Sequence, residues 1–171
     1  YTDMACGPKY FTYINQELPT LCRRFFGIQP VPERTYIMGL SMGGYGAMKC
    51  AFTAPQQYAG CAGFSSVAEI QAELPQLCRW HEDQAIFPHG IVPPQDDLFD
   101  LVEKFRDGTC PMPRLFLACG QQDSLYPANL RLRDTLQAMN CPLTWYEAPG
   151  DHNWFFWNDA LGRAMKELLE N

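Results

Sequence analysis

The sequence lacks the features of a membrane-spanning or nucleic-acid-binding protein. No apolar run approaches the roughly 18 residues that a transmembrane helix needs. Lys and Arg number 13 against 19 Asp and Glu, and no basic run is longer than Arg23-Arg24. With a net charge of −6 and no basic cluster, we expect neither nucleic acid nor a membrane surface as a partner.

The spacing of a metal site is also missing. None of the eight cysteines forms a CxxC pair, and the three histidines stand far apart. His81 and His89 have acidic neighbours and are interpreted as solvated loop residues. Because Cys119 and several other cysteines follow apolar residues, we expect small buried thiols in a reducing compartment, which favours a cytoplasmic location. No bound metal is expected.

Length and composition indicate one folded domain. The chain has 171 residues, of which 47% are hydrophobic, enough for a substantial core. It begins at Tyr1 rather than at a methionine. We therefore interpret it as a fragment or a processed product, whose signal peptide, if it had one, would lie upstream.

The stretch that carries chemistry is Gly39-Leu40-Ser41-Met42-Gly43-Gly44-Tyr45-Gly46. It follows a strand-like segment and precedes a helix-like one, the context that makes G-x-S-x-G a nucleophile elbow. Such a turn brings two backbones close together, so side chains at Gly39 and Gly43 are expected to collide there. Ser41 is the candidate nucleophile, and the N–H of Met42 is a candidate oxyanion donor at a helix start. Alone, the motif also fits an idle serine in a tight turn.

Periodicity predicts strands that alternate with helices, and hence an α/β fold with a parallel sheet flanked by helices. The predicted strands cover residues 34–40, 58–64, 114–119 and 143–148. The predicted helices cover residues 9–26, with a kink or restart at Pro19, then the elbow to about Thr53, 125–140 and 154–169. Residues 67–113 are rich in proline and are interpreted as a cap-like insertion that walls the substrate pocket. Short helices are predicted there at 67–78 and 97–106.

Ser41, Asp123 and His152 each follow the carboxyl end of a predicted strand, where parallel sheets bind ligands. Their order along the chain is that of the α/β-hydrolases. We predict that Ser41 attacks an ester carbonyl, that His152 moves the proton, and that Asp123 orients the imidazole.

Three other carboxylates compete for the acid role. Asp151 adjoins His152, a position from which the ring is hard to reach. Glu147 lies inside a strand, and Asp159 lies on the last helix. Placement favours Asp123. Within the aromatic group at 154–157, most side chains are expected to be core, and only Trp154 is expected to face the cleft.

Three motifs resemble the tributyrin esterase branch of a larger esterase family, which includes esterase D, the S-formylglutathione hydrolases, and the feruloyl and acetyl-xylan esterases. They are the elbow stretch, Cys119-Gly120-Gln121-Gln122-Asp123-Ser124-Leu125-Tyr126, and Gly150-Asp151-His152-Asn153-Trp154-Phe155-Phe156-Trp157. The resemblance implies an α/β-hydrolase fold and the hydrolysis of short acyl or aryl esters without a cofactor. S-formylglutathione hydrolases usually carry histidines and tyrosines where this chain has Leu40, Tyr45 and the aromatic group. Leu40 and Trp154 are the substrate-binding candidates.

The resemblance also implies that an N-terminal third is missing. That third would contain the first strands and the loop that gives the second oxyanion N–H. Its absence would leave the nucleophile strand with an open edge, ready to pair with the missing segment or with a second copy. Since one oxyanion donor is worth ~10²–10³ in rate, the 171 residues alone are expected to be weakly active or inactive.

Three function hypotheses follow. The first is a serine esterase of short-chain acyl esters. The second is a feruloyl or acetyl-xylan type carbohydrate esterase, or a thioesterase like the S-formylglutathione hydrolases. The third is a hydrolase-like binding domain without catalytic activity.

Overall fold

The computed structural model describes residues 1–78 and 82–170. At its centre lies a four-stranded parallel sheet with the order β1-β2-β3-β4. The strands are β1 (Tyr36–Leu40), β2 (Gly60–Phe64), β3 (Arg114–Gly120) and β4 (Leu143–Ala148). The predicted parallel sheet is confirmed. β1 and β2 each begin two residues later than predicted, since a 3₁₀ turn over Pro32–Arg34 precedes β1.

The helices are α1 (Tyr10–Thr12), α2 (Leu18–Phe26), α3 (Met42–Thr53), α4 (Ile70–Leu77), α5 (Glu82–Ile86), α6 (Leu98–Val102), α7 (Tyr126–Ala138) and α8 (Trp154–Leu169). Between α1 and α2 the chain forms a π-helical turn over Tyr13–Glu17. α2 then has Pro19 in its first turn, two residues after the π-helical turn ends, and Glu17 and Leu18 at the junction keep helical backbone angles. The kink or restart predicted at Pro19 therefore coincides with a change of helix type and not with a break in the helical backbone.

Alternating residues of the inner strands serve two cores. Cys61, Leu115 and Leu117 face α3 and α7 and belong to the larger buried cluster. Phe64 and Phe116 point to the opposite face, where α8 covers them. Burial on both faces explains why β2 and β3 are nearly continuous apolar runs. Helices on both faces of the sheet were predicted from the strand–helix alternation.

The described parts of the insertion, residues 67–78 and 82–113, dock on the α3 side of the sheet. Both predicted helices in this region are shorter than expected: the first is α4, and the second divides into α6 and a 3₁₀ turn over Glu103–Phe105. Tyr45 Oη donates to the carbonyl of Asp96 at 2.7 Å, and Lys49 Nζ forms a buried ion pair with the Asp96 carboxylate. These contacts tie the segment to α3. Its interpretation as a cap stays a prediction.

The two histidines that are expected to be solvated loop residues, His81 and His89, both belong to this segment. His89 is exposed in a 3₁₀ turn over Pro88–Gly90. His81 lies outside the described residues.

Within the described ranges, no helix is both long enough and apolar enough to span a bilayer. The same ranges contain no group of three or more His, Cys, Asp or Glu placed to hold a metal ion.

The junction of β1 and α3 is unusually tight. A Cβ added at Gly39 would lie 2.2 Å from the carbonyl oxygen of Gly43, so only glycine fits at position 39. The expectation that Gly43 is equally crowded is wrong, since, apart from its chain neighbours and the backbone of its own helix, no atom lies within 4 Å of a Cβ built there. It is the backbone of Gly43 that approaches Gly39. The second crowded position is Gly44, where a Cβ would lie 2.2 Å from Ser66 Oγ.

This asymmetry gives a paired test of stability. Gly39→Ala is expected to lower the free energy of unfolding by about 1–3 kcal/mol, because the new methyl group forces β1 and α3 apart. Gly43→Ala adds the same methyl group in open space and is expected to change it by at most about 1 kcal/mol. Urea unfolding of both variants measures the difference. Equal losses would show that the close approach at Gly39 is not the cause.

Candidate active site

Ser41 occupies a strained turn between β1 and α3. Its backbone has φ 55° and ψ −122°, a region that side-chain-bearing residues rarely adopt and that costs about 1–3 kcal/mol. Ser41 N donates to the carbonyl of Phe64 at 2.8 Å, and its own carbonyl accepts from Val67 N at 3.2 Å. These bonds attach the turn to the end of β2. The side chain is thereby projected away from the sheet edge.

His152 connects the serine to a buried carboxylate. Its Nε2 lies 2.9 Å from Ser41 Oγ, and its Nδ1 lies 2.9 Å from Asp123 Oδ2. Because an ionised carboxylate only accepts hydrogen bonds, Nδ1 carries the ring proton and Nε2 is free to accept from the serine hydroxyl. The structure therefore brings Ser41, His152 and Asp123 into one hydrogen-bonded line.

Asp123 is held rigidly. Its side chain is fully buried, and Oδ1 accepts from Leu125 N at 2.9 Å. The loops that carry Asp123 and His152 are clamped to each other, since Gln122 N donates to the carbonyl of Gly150 at 2.9 Å. A Cβ at Gly120 would lie 2.4 Å from that same carbonyl oxygen. This approach of two strand ends sets the distance between carboxylate and imidazole.

The competing carboxylates are engaged elsewhere. Asp151 Oδ1 accepts from the backbone N–H of His152 at 2.7 Å rather than from the ring. Glu147 accepts from the indole N–H of Trp145 at 2.7 Å, and this bond holds the pKa of Glu147 below its usual value. Asp159 accepts from a tyrosine and an arginine. The imidazole of His152 thus contacts Asp123 and none of the three rivals.

Met42 begins α3 directly after Ser41. Its backbone N–H makes no hydrogen bond to any of the described residues. An unpaired N–H at a helix start carries part of the positive end of the helix dipole. It can therefore receive a negatively charged oxygen beside the serine.

Leu40 and Trp154, the substrate-binding candidates, line a common cavity. Its volume is about 210 Å³, and Phe64 and Trp157 also contribute to it. Leu40 additionally lines a larger cavity of about 570 Å³, which contains Ser41 and Met42. Trp154 is 65% exposed. Ser41 borders the larger cavity but not the smaller one, so Leu40 stands between the two.

Two residues beside the histidine were not singled out from the sequence. The Trp157 ring packs against the His152 ring, with centroids 4.9 Å apart, and its indole N–H donates to Ser65 Oγ at 3.0 Å. The aromatic group at 154–157 was assigned mainly to core packing, and Ser65 carries no motif. The available signal was position: Ser65 directly follows a strand, as do the loops that bear Ser41 and Asp123.

β1 pairs only with β2 among the described strands. All five residues of β1 are partly exposed, whereas all five of β2 are buried. The nucleophile turn therefore follows an edge strand of the described sheet. Beyond that edge lie the 570 Å³ cavity, lined by Ile37 and the start of α3, and the 210 Å³ cavity on the α8 side.

The chain resembles known proteins along most of its own length. The chain is 28% identical to an acetyl esterase of Caldicellulosiruptor saccharolyticus over 176 residues, covering 97% of this chain and 66% of that protein. The matched regions cover 66% of the acetyl esterase and 52% of the S-formylglutathione hydrolase of Bos taurus, so the chain spans only part of the length of these relatives.

Two solved structures from Staphylococcus aureus show the same fold. The fluorophosphonate-binding serine hydrolase FphF superposes with a TM-score of 0.90 at 30% identity, over 100% of this chain and 68% of FphF. The S-formylglutathione hydrolase FrmB superposes with a TM-score of 0.78 at 29% identity, over 94% of this chain and 60% of FrmB. The predicted α/β-hydrolase fold is confirmed. Residues 2–99, more than half of the chain, match a family model described as "Putative esterase", and the chain belongs to that esterase family.

Proposed function

We propose that the protein is a serine esterase in which Ser41, His152 and Asp123 form the catalytic triad. The observation that carries the proposal is the unbroken line of hydrogen bonds from Ser41 Oγ through the imidazole to the buried carboxylate. A tight turn with an idle serine does not require a histidine at 2.9 Å or a second, matched hydrogen bond behind it. Membership of the esterase family supports the same conclusion.

The geometry supports acyl transfer in two steps. Ser41 Oγ attacks the ester carbonyl carbon while His152 Nε2 takes the hydroxyl proton, which gives a tetrahedral oxyanion. Collapse breaks the C–O bond to the alcohol, which leaves with the proton from Nε2, and the acyl group stays on Ser41. Water then attacks the acyl-enzyme with the same proton movements in turn. The acid is released and Ser41 is restored.

Asp123 stabilises the imidazolium that forms in each step. Its carboxylate is buried and lies against Nδ1, so water screens the attraction between the two charges only weakly. The bond from Leu125 N to Oδ1 fixes the carboxylate plane. His152 is thereby kept in the tautomer that can accept the Ser41 proton.

The N–H of Met42 is the proposed oxyanion donor. It follows the nucleophile directly and begins α3, so the helix dipole favours negative charge at this point. No cofactor enters the proposed reaction, because attack, proton transfer and charge stabilisation are all assigned to groups of the chain.

Short-chain acyl esters are the proposed substrates. Ser41 borders the cavity of about 570 Å³, and Leu40 connects it to the cavity of about 210 Å³ beside Trp154, whose size suits a short apolar group. The likeness to an acetyl esterase along nearly the whole chain supports this choice. The superposition on FrmB favours, as a second substrate class, the thioester cleaved by S-formylglutathione hydrolases. Feruloyl and acetyl-xylan esters form a third class, and a binding role without catalysis is the competing non-enzymatic function.

We propose a cytoplasmic location from the cysteine pattern, since Cys50, Cys61 and Cys119 are small buried members of the core. The proposed partner of the open β1 edge is the segment that the family carries ahead of the matched region. A second copy of the chain is the alternative occupant of this edge.

Loss of the nucleophile tests the reaction class. Ser41→Ala is expected to abolish labelling by a fluorophosphonate probe and to reduce hydrolysis of p-nitrophenyl acetate and butyrate to the uncatalysed rate, because no other group can hold the acyl chain. Ser124→Ala is the matched control, since Ser124 is exposed in the Asp123 loop, and it should retain labelling. Labelling that persists in Ser41→Ala would refute the proposal and leave the binding domain as the function.

The acid assignment is tested by two isosteric changes. Asp123→Asn is expected to lower kcat by about 10³–10⁴-fold, because the amide stabilises the wrong imidazole tautomer. Asp151→Asn keeps an acceptor for the His152 backbone N–H and should leave kcat close to that of the unmodified protein. The reverse result, with the larger loss in Asp151→Asn, would assign the acid role to Asp151.

The open edge is tested by extending the chain at its N-terminus with the segment that the matched acetyl esterase carries ahead of the matched region. kcat/KM for p-nitrophenyl acetate is expected to rise by ~10²–10³, the usual worth of one oxyanion donor. The extended protein with Ser41→Ala serves as the blank. Equal kcat/KM for the short and extended chains would contradict the pairing.

S-formylglutathione and methyl ferulate, assayed in parallel, distinguish the three substrate classes.

A further inference from the structure

We propose that Trp157 and Ser65 are positioning residues that fix the tilt of the His152 imidazole. This inference rests on the proposed function of the Ser41 site. Trp157 lies on the first turn of α8, is 8% exposed, and contacts the His152 ring at 85° between the ring planes. Such an edge-to-face contact is a favoured aromatic geometry. Neither residue contacts the reacting bond in the proposed mechanism.

The two hydrogen bonds of the imidazole leave one motion free. They attach to Nδ1 and Nε2, on nearly opposite sides of the ring. Rotation of the ring about the line that joins these two atoms changes neither distance, although it swings the Nε2 lone-pair and N–H directions out of alignment with their partners. Because the Trp157 indole packs against the imidazole with centroids 4.9 Å apart and the planes at 85°, a change of tilt would disturb this ring contact, and Trp157 therefore opposes the rotation.

The indole is itself anchored by a buried hydrogen bond. Its Nε1–H donates to Ser65 Oγ at 3.0 Å, which distinguishes one orientation of the indole from the flipped one. Cys119 Sγ lies 4.0 Å from the same oxygen. Because burial raises the pKa of Cys119 to about 12, this thiol stays neutral. A phenylalanine at position 157 would fill much of the space but could not make the anchor.

Ser65 lies beside the nucleophile Ser41 at the same edge of the sheet. Register places Leu40 beside Phe64, so Ser41 and Ser65 follow neighbouring strands at the same edge. Ser65 N donates to the carbonyl of Ala118 at 2.7 Å, and Ser65 is held at φ 46°, in the left-handed region. A serine in this conformation persists only where the surrounding structure enforces it. Through Trp157, the hydrogen bond to Ser65 therefore fixes the position of His152 relative to the sheet edge that carries Ser41 and Asp123.

The test uses Ser65→Ala, Ser65→Gly, Trp157→Phe and the Ser65→Ala/Trp157→Phe double variant. Each is expected to slow fluorophosphonate labelling of Ser41 by about tenfold, the effect of losing one buried hydrogen bond. The double variant should also be about tenfold slower rather than a hundredfold, because both changes remove the same bond. Ser65 lines neither cavity, so its variants should change kcat and leave KM unaltered.

Ser65→Gly separates positioning from folding. Glycine accepts a φ of 46° without strain, so this variant should unfold at the same temperature as the unmodified chain or higher, yet label more slowly. Trp145→Phe is the matched control, since it removes an indole N–H bond to Glu147 of 2.7 Å outside the site. Its labelling rate should not change.

A spectroscopic readout makes the outcome independent of turnover. In the unmodified chain the indole ring current should displace the carbon-bound imidazole proton signals of His152, and the Ser65 variants should move these signals. Unchanged signals, or moved signals with undiminished Ser41 labelling, would overturn the inference while the esterase proposal stands. Absence of labelling in both the unmodified chain and the N-terminally extended chain would overturn both.

Discussion

The close approach of β1 to the start of α3 is the constraint on which the site depends. With the Gly43 carbonyl 2.2 Å from where a side chain at Gly39 would begin, the chain has room for only one sharp turn, and Ser41 takes the strained conformation within it. The strain is held by backbone hydrogen bonds to the end of β2. As a result, the direction of the serine hydroxyl is determined by how the turn is attached to the sheet and not by the side-chain rotamer alone.

The parallel register converts this local turn into a site. Because all four strands run in the same direction, their following loops meet at one edge, and the Gly120–Gly150 approach brings the loops after β3 and β4 into contact. This contact between two neighbouring loops is enough to bury Asp123. Its desolvation is offset by two hydrogen bonds, from Leu125 N and from the imidazole. A carboxylate on an exposed loop would attract the imidazolium less strongly.

Much of this arrangement is predictable from the sequence, because strand ends are local features. Residues 143–148 and 154–169 form the predicted strand and helix without change, and placement after strands selected Ser41, Asp123 and His152. The predicted crowding at Gly39 is confirmed, and the predicted crowding at Gly43 is wrong. The motif shows that two glycines approach each other, but it does not show which of them needs the space and which contributes its backbone. Trp157 and Ser65 were missed because 92 positions separate them and helical spacing alone made Trp157 look like core.

The two edge strands of the described sheet, β1 and β4, carry Ser41 and His152, whereas Asp123 follows the inner strand β3. The turn bearing Ser41 is supported on the β2 side alone, just as the loop bearing His152 follows a strand that pairs only with β3. An oxyanion donor from beyond the β1 edge would have to come with a backbone that pairs with β1, because five half-exposed residues leave unpaired N–H and C=O groups there. Under the proposed pairing, completion of the sheet and completion of the oxyanion site would therefore be one event. The proton-transfer geometry is already formed without it, which separates activation of the serine from stabilisation of the charge that its attack creates.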